Sequence, residues 1–270
     1  MKHLIPYAVL TAALVLQACG GATSPPVSDP GASTPSTADP MMSGGDVKAS
    51  LDQLRSADST ALHLPRFLII PGNLPVFGHD TTGWTEEYWR WILSIPASQN
   101  PELVDDADCA IDQTAPVFYL PGEQHDVYTR TCTVRFGKPV LWPIWSTLND
   151  YPCPDPNFHP APGQSLVDFL TDGAEANDDA VSNIMPTVDG KAIDYTKHRF
   201  TTGLFNFTGD PSLTAALDPC ITGTPQPAVS DGWWLLLLLG PGDHTLQSTA
   251  ISPGGHPTSQ TFIVKVRFDD

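Results

Sequence analysis

The residues best suited to recognition in this sequence are its seven tryptophans, at 84, 89, 91, 142, 145, 233 and 234. An aromatic ring beside carboxylates and amides can hold a sugar, because the apolar ring face stacks while the hydroxyls find hydrogen-bond partners. Trp84 and Trp91 fall on the apolar face of a helical period and belong to the core. Trp89 shares another face with Glu86 and Arg90. The expected ligand-binding patch is therefore Trp89, Glu86 and Arg90 together with Trp142 or Trp145, a pair three residues apart around Pro143. Most of the other tryptophans are read as core.

Paired carboxylates could cleave glycosidic bonds, which takes an acid and a base or nucleophile at a set separation. The thirty Asp and Glu single out no pair, so solvated surface is the default and no catalytic residue is assigned. Asp105-Asp106-Ala107-Asp108 is rich in oxygen ligands but lacks the glycine of a calcium loop. The eight histidines form no HExxH, and there is no nucleophile elbow, phosphate loop or dinucleotide fingerprint. No metal site and no cofactor is expected.

Five cysteines are present. Cys19 closes an apolar N-terminal run. The other four, Cys109, Cys132, Cys153 and Cys220, are an even number, with three possible connectivities. Pairing neighbours along the chain, Cys109 with Cys132 and Cys153 with Cys220, would be worth roughly 3.5 and 4.4 kcal/mol in chain entropy. Zinc is disfavoured because no CxxC occurs.

Among the elements that must carry these residues, short strands are expected at Arg66–Ile70, Val117–Leu120 and Leu204–Phe207. Val127–Phe136 alternates, with Arg130 the exception on its apolar face, and is expected to form a hairpin with Val140–Trp142. Pro143 should mark an edge or a bulge. Trp233–Leu239 reads as a strand buried on both faces. His244–Ile251 and Thr261–Phe268 follow after Gly/Pro turns. Helices are expected over Thr82–Ile95, and from Ser165 with a break at Gly173. The fold class is all-β-rich: an antiparallel β-sandwich with two short helical insertions, one domain over residues 65–270.

Two resemblances add to this. Leu16-Gln17-Ala18-Cys19-Gly20, at the end of an apolar run too short to span a bilayer, resembles the lipobox of bacterial lipoproteins. The resemblance implies a signal peptide over residues 1–18 and lipidation of Cys19, palmitate included. Residues 19–64 would be a tether, since Gly, Ala, Ser, Thr, Pro and Asp cannot build a core. A short helix through Val47, Leu51 and Leu54 fits within it. The protein would be exported and anchored in the bacterial cell envelope, at the outer membrane if Gram-negative. The second resemblance rests on Gly83-Trp84, Tyr88-Trp89-Arg90-Trp91, Val117-Phe118-Tyr119-Leu120-Pro121-Gly122, Thr129-Arg130-Thr131-Cys132 and Asp231-Gly232-Trp233-Trp234. It is similar to a set of uncharacterised secreted bacterial proteins, and implies that Cys109 and Cys132 are partners. It implies no activity.

Thirteen basic against thirty acidic residues give a net charge of −17. No basic excess exists to meet phosphates, which argues against a nucleic-acid partner. The expected function is a surface-anchored, non-catalytic binding or envelope-associated module for a glycan or an envelope protein. A carbohydrate-active hydrolase and a structural envelope component are the alternatives.

Overall fold

The computed structural model describes residues 65–268. The expected signal peptide, the expected lipidation at Cys19, the expected tether and the expected helix around Leu51 lie outside them. Two sheets are built around β8 (Gln226–Leu239) and β10 (Pro257–Arg267). In the first, β4 (Val140–Asp150) runs antiparallel along one flank of β8, from Val140↔Leu237 to Asp150↔Ala228. β1 (Phe67–Ile69) and β7 (Phe205–Phe207) pair with opposite ends of the other flank. The two-residue β2 (Phe118–Tyr119) adds in parallel to β4. In the second sheet the order is β3 (Val127–Arg135), β10, β9 (Gly242–Ile251), β5 (Ser182–Val188), β6 (Lys191–Ala192). There β3 is parallel to β10, from Ser259↔Val127 to Arg267↔Arg135.

Both sheets are thus mixed, which corrects the expected antiparallel sandwich. The expected hairpin between Val127–Phe136 and Val140–Trp142 does not form. The chain turns through Gly137, at φ 82°, and crosses to the other sheet. Cys132 and Val134 therefore meet Val140, Trp142 and Ile144 through a core shared by the two sheets. The Gly240-Pro241 turn makes the same kind of crossing, from β8 to β9. Only β9 and β10 form the expected local hairpin at the C-terminus.

β8 is buried on both faces, as its unbroken apolar run requires. Trp233, Leu235, Leu237 and Leu239 point into the core between the sheets. Trp234 and Leu236 point the other way, against α1 (Thr81–Ser94). The Asp80 carboxylate caps that helix by accepting the Gly83 amide at 2.9 Å. Trp84, Tyr88, Trp91 and Ile92 bury its apolar stripe. Full burial of an apolar side chain of this size contributes about 1.5–3 kcal/mol.

α2 (Leu166–Asp179) begins where Ser165 accepts the Asp168 amide and runs through Gly173 without the expected break. A Cβ at Gly173 would lie 2.2 Å from Asn149 Nδ2. The glycine is there because the helix lies against β4 at that point, and Asn149 donates to the Leu170 carbonyl. A third helix, α3 (Leu213–Ala216), is a single turn. Cys109 is bonded to Cys132 and Cys153 to Cys220, the neighbour pairing expected from the sequence. Two disulfides point to an oxidising, extracytoplasmic compartment. No helix among the described residues is long and apolar enough to cross a membrane.

Candidate functional site

The flank of β4 is covered by β2 only at Val140 and Leu141. From Pro143 to Leu148 no described strand pairs with it. Open strand edges invite pairing with other chains, and this one is blunted. Pro143 has no N–H to offer. The register shifts between Pro143 and Trp145, so the proline marks a bulge. The Gln260 amide donates to the carbonyls of Pro143, at 3.1 Å, and Ile144, at 2.5 Å.

Along this flank lies a cavity of about 510 Å³, within the range of about 300–1,000 Å³ usual for small-ligand sites. Tyr88, Trp89 and Leu93 of α1 contribute to one wall, with Leu217, Asp218 and Ile221. Ser248 and Ala250 of β9 and Thr258, Ser259 and Gln260 of β10 contribute to another. Trp145 and Leu148 come from β4 itself. Glu102 and the segment Gly122–Asp126, with Tyr128, complete it.

Hydrogen bonds hold these groups in place. Trp89 Nε1 donates to Ser230 Oγ at 2.7 Å. The Gly122 amide donates to the Tyr88 hydroxyl at 3.1 Å, which hydrogen-bonds the Glu102 carboxyl. Tyr128 donates to Gln260 Oε1 at 2.8 Å. Beneath the Glu102 loop, the buried Arg130 pairs with Glu123 at 2.7 Å. It also donates to the carbonyls of Pro101 and Val104. Arg130 is the inward-facing charge that breaks the alternation of β3, and its place as a strut explains the exception.

The carboxyls of the cavity are not balanced. Glu123 has Arg130, and the exposed His125 faces Asp105 at 3.1 Å. No lysine or arginine among the described residues forms an ion pair with Glu102, Asp126 or Asp218. Burial pushes Glu102 up to about 7, against the hydrogen bond from Tyr88 and the charge of Arg130. Burial also raises the phenols of Tyr88 and Tyr128, so both remain donors at neutral pH.

Asp218 reaches a second acidic spot. Its carboxyl, that of Asp150 and the Cys220 sulfur lie within 4.8 Å of one another. That sulfur is spent in a disulfide and is no thiolate ligand, so two carboxyls remain. Burial and then the Asp218 charge raise Asp150 to about 7. Gln226 donates to it.

A further polar cluster is filled by protein. Where α2 meets the first sheet, Arg199 clamps Asp231 with two donors on Oδ2, at 2.6 and 2.8 Å. Thr201 donates to the other oxygen at 2.7 Å. Asp178 accepts from Thr147 at 2.6 Å, while its Oδ2 meets no donor. Its carboxyl instead contacts Asp231, a contact that needs a proton on one of the two.

The residues expected from the sequence separate. Trp89 and Trp145 line the cavity together. Trp142 does not: it is wholly buried between the sheets. Glu86 and Arg90 are not in its walls. Arg90 pairs with Glu87 at 2.7 Å and Glu86 at 3.0 Å, donates to the Asn206 carbonyl and lies over the Phe205 ring. It fastens α1 to β7. Trp89 is only 8% exposed, because the apolar stripe of α1 is wider than the four-residue period suggests. Sequence reasoning misses Glu102, Tyr128, Asp218 and Gln260, and leaves Asp126 undistinguished among many acids. The one signal for their neighbourhood is Arg130 on an otherwise apolar strand face.

No protein-family model and no curated protein matches this chain. One solved structure, that of PbICP-C in complex with falcipain-2, aligns with 52% of this chain and 89% of its own at 8% identity. Its TM-score of 0.20 carries no argument.

Proposed function

We propose that the protein is an exported, lipid-anchored binding module that seats a saccharide in the cavity beside β4. The observation that supports this reading is the lining. Aromatic side chains of Tyr88, Trp89, Tyr128 and Trp145 share about 510 Å³ with the polar groups of Glu102, Asp126 and Gln260. Sugars need both kinds of surface at once. The anchor rests on Cys19 and would hold the domain at the envelope through residues 19–64, since multiple acyl chains are needed for stable attachment. Titrating a panel of envelope oligosaccharides into the soluble body, with tryptophan fluorescence as readout, tests the binding. A response to none of them, or one unchanged by Trp145→Ala, overturns it. Palmitate labelling that is absent from the wild type, or persists in Cys19→Ala, overturns the anchor.

One observation favours hydrolysis as a second reading. A carboxyl that holds its proton to about 7 is the form a general acid takes at neutral pH. Release of shorter saccharides, lost in Glu102→Gln, would replace the binding reading with the enzymatic one.

A further inference from the structure

We propose that the saccharide carries a free, protonated amino group, and that Glu102 is the residue that selects it. The inference rests on the reading of the cavity as a saccharide site and goes on to name the class of sugar.

Charge balance points to this class. Two buried carboxylates of the described body have their cations built in, Glu123 with Arg130 and Asp231 with Arg199. The buried Asp150 and Asp178 have none, but they meet protein donors, Gln226 and Thr147, and do not line the cavity. Glu102 has a hydrogen bond from Tyr88 and the nearby charge of Arg130, whose guanidinium is already engaged by Glu123 and by backbone carbonyls. Asp126 and Asp218 stand in the same cavity, also without a cation. An ammonium entering there gains attraction chiefly to the partly buried Glu102, in a partly desolvated space where charge interactions are stronger than in water, while the exposed Asp126 adds little. Tyr128 and Trp145, the partly exposed rings of the lining, add to it, because the negative faces of Tyr and Trp favour cations. An acetylated amine has the same ring and the same hydroxyls but gains neither term. It also brings extra bulk. A carboxylated sugar would meet like charge and be rejected.

Among the described residues, Glu102, Asp126 and Asp218 do not together form a group whose ligand atoms lie within 4.8 Å of one another. The three carboxylates line a roomy, aromatic cavity, whereas a hard cation needs its oxygens packed closely around it.

The test compares two ligands that differ only in the acetyl group: glucosamine tetrasaccharide and N-acetylglucosamine tetrasaccharide. Both are titrated calorimetrically into the soluble body at about pH 7, where the carboxyl of Glu102 and a sugar amine, which also titrates near neutrality, can hold one proton between them as an ion pair. Putrescine serves as the amine without a sugar. The expected result is that the free-amine sugar binds at least about tenfold more tightly than the acetylated one. In Glu102→Gln this ratio should fall at least about threefold while the acetylated sugar still binds, because Gln can accept the Tyr88 hydrogen bond; an unchanged ratio overturns the role of Glu102. Should that variant fail to fold, a salt titration of the wild type decides the same question. Raising NaCl from about 0.05 to about 0.5 M must weaken the free-amine sugar and leave the acetylated one unchanged. Equal or tighter binding of the acetylated sugar overturns the inference and leaves the saccharide reading standing. Binding of putrescine alone, with neither sugar, overturns the saccharide reading. Binding of none of the three overturns both.

Discussion

The partly buried Glu102 and the fully buried Asp178 both have their ionisation pushed upward by burial, yet they sit in opposite kinds of place. Around Asp178 the protein supplies every neighbour: Thr147 and Asp231, with Arg199 clamping Asp231 from the far side. Around Glu102 it supplies Tyr88 and the Gly122 backbone, and then a cavity. A raised carboxyl does not by itself mark function. What separates the two is whether the space beside the group is filled.

The largest test of this contrast is at the strut beneath the cavity. Arg130→Met should cost about 3–5 kcal/mol in urea denaturation, because Glu123 is left buried without its cation. A loss under about 1 kcal/mol would mean that the loop carrying Glu102 is held by something else.

Asp178→Asn sharpens the comparison from the other side. The folded state holds the Asp178 proton more tightly than the unfolded chain does. Stability from this group is therefore complete below the unfolded value, about 3.9, and is lost as pH rises through the higher folded value. The asparagine variant has no proton to lose and can donate to Asp231. It should overtake the wild type in alkaline solution by about 1.4 kcal/mol for each unit of upward shift. Ligand affinity should not change. Parallel stability profiles from about pH 4 to pH 9 would refute the shared proton.

A smaller effect is expected for Trp89→Phe, which removes the donor to Ser230. It should destabilise by about 1–2 kcal/mol and also weaken ligand binding, since the residue serves both the core and the cavity wall. Loss of stability with unaltered affinity would assign Trp89 to the core alone. Smallest of all is Glu86→Gln. The pair with Arg90 is half exposed, so the cost should stay within about 0.5 kcal/mol. Ligand affinity should be unaffected, in contrast with Glu102→Gln.

Local features of the chain are legible without coordinates. The four-residue period of Trp84, Tyr88 and Trp91 marks α1 to within one residue at each end. The apolar run from Trp233 marks a strand buried on both sides, although β8 begins seven residues earlier, at Gln226. There Pro227, Ser230, Asp231 and Gly232 hide the pattern. A Cβ at Gly232 would lie 2.5 Å from the Trp145 carbonyl, so this glycine is required by the partner strand and not by its own segment. The candidate site is half legible. Trp89 and Trp145 stand out by residue type, but Glu102 looks like any other acid.

Cysteine order was enough for the disulfide pairing, although Cys153 and Cys220 stand 67 residues apart. The periodicity of single segments was enough for the strand-rich class and the main helices, because those depend on residues close together in the chain. Sheet membership was decided in three dimensions. β3 joined β10, more than a hundred residues away, in parallel, and β4 crossed to the opposite layer. Which carboxyl would lose its water was decided there too. Desolvation comes from everything packed around a group, and for Glu102 those neighbours arrive from α1, the loop at Gly122 and β3.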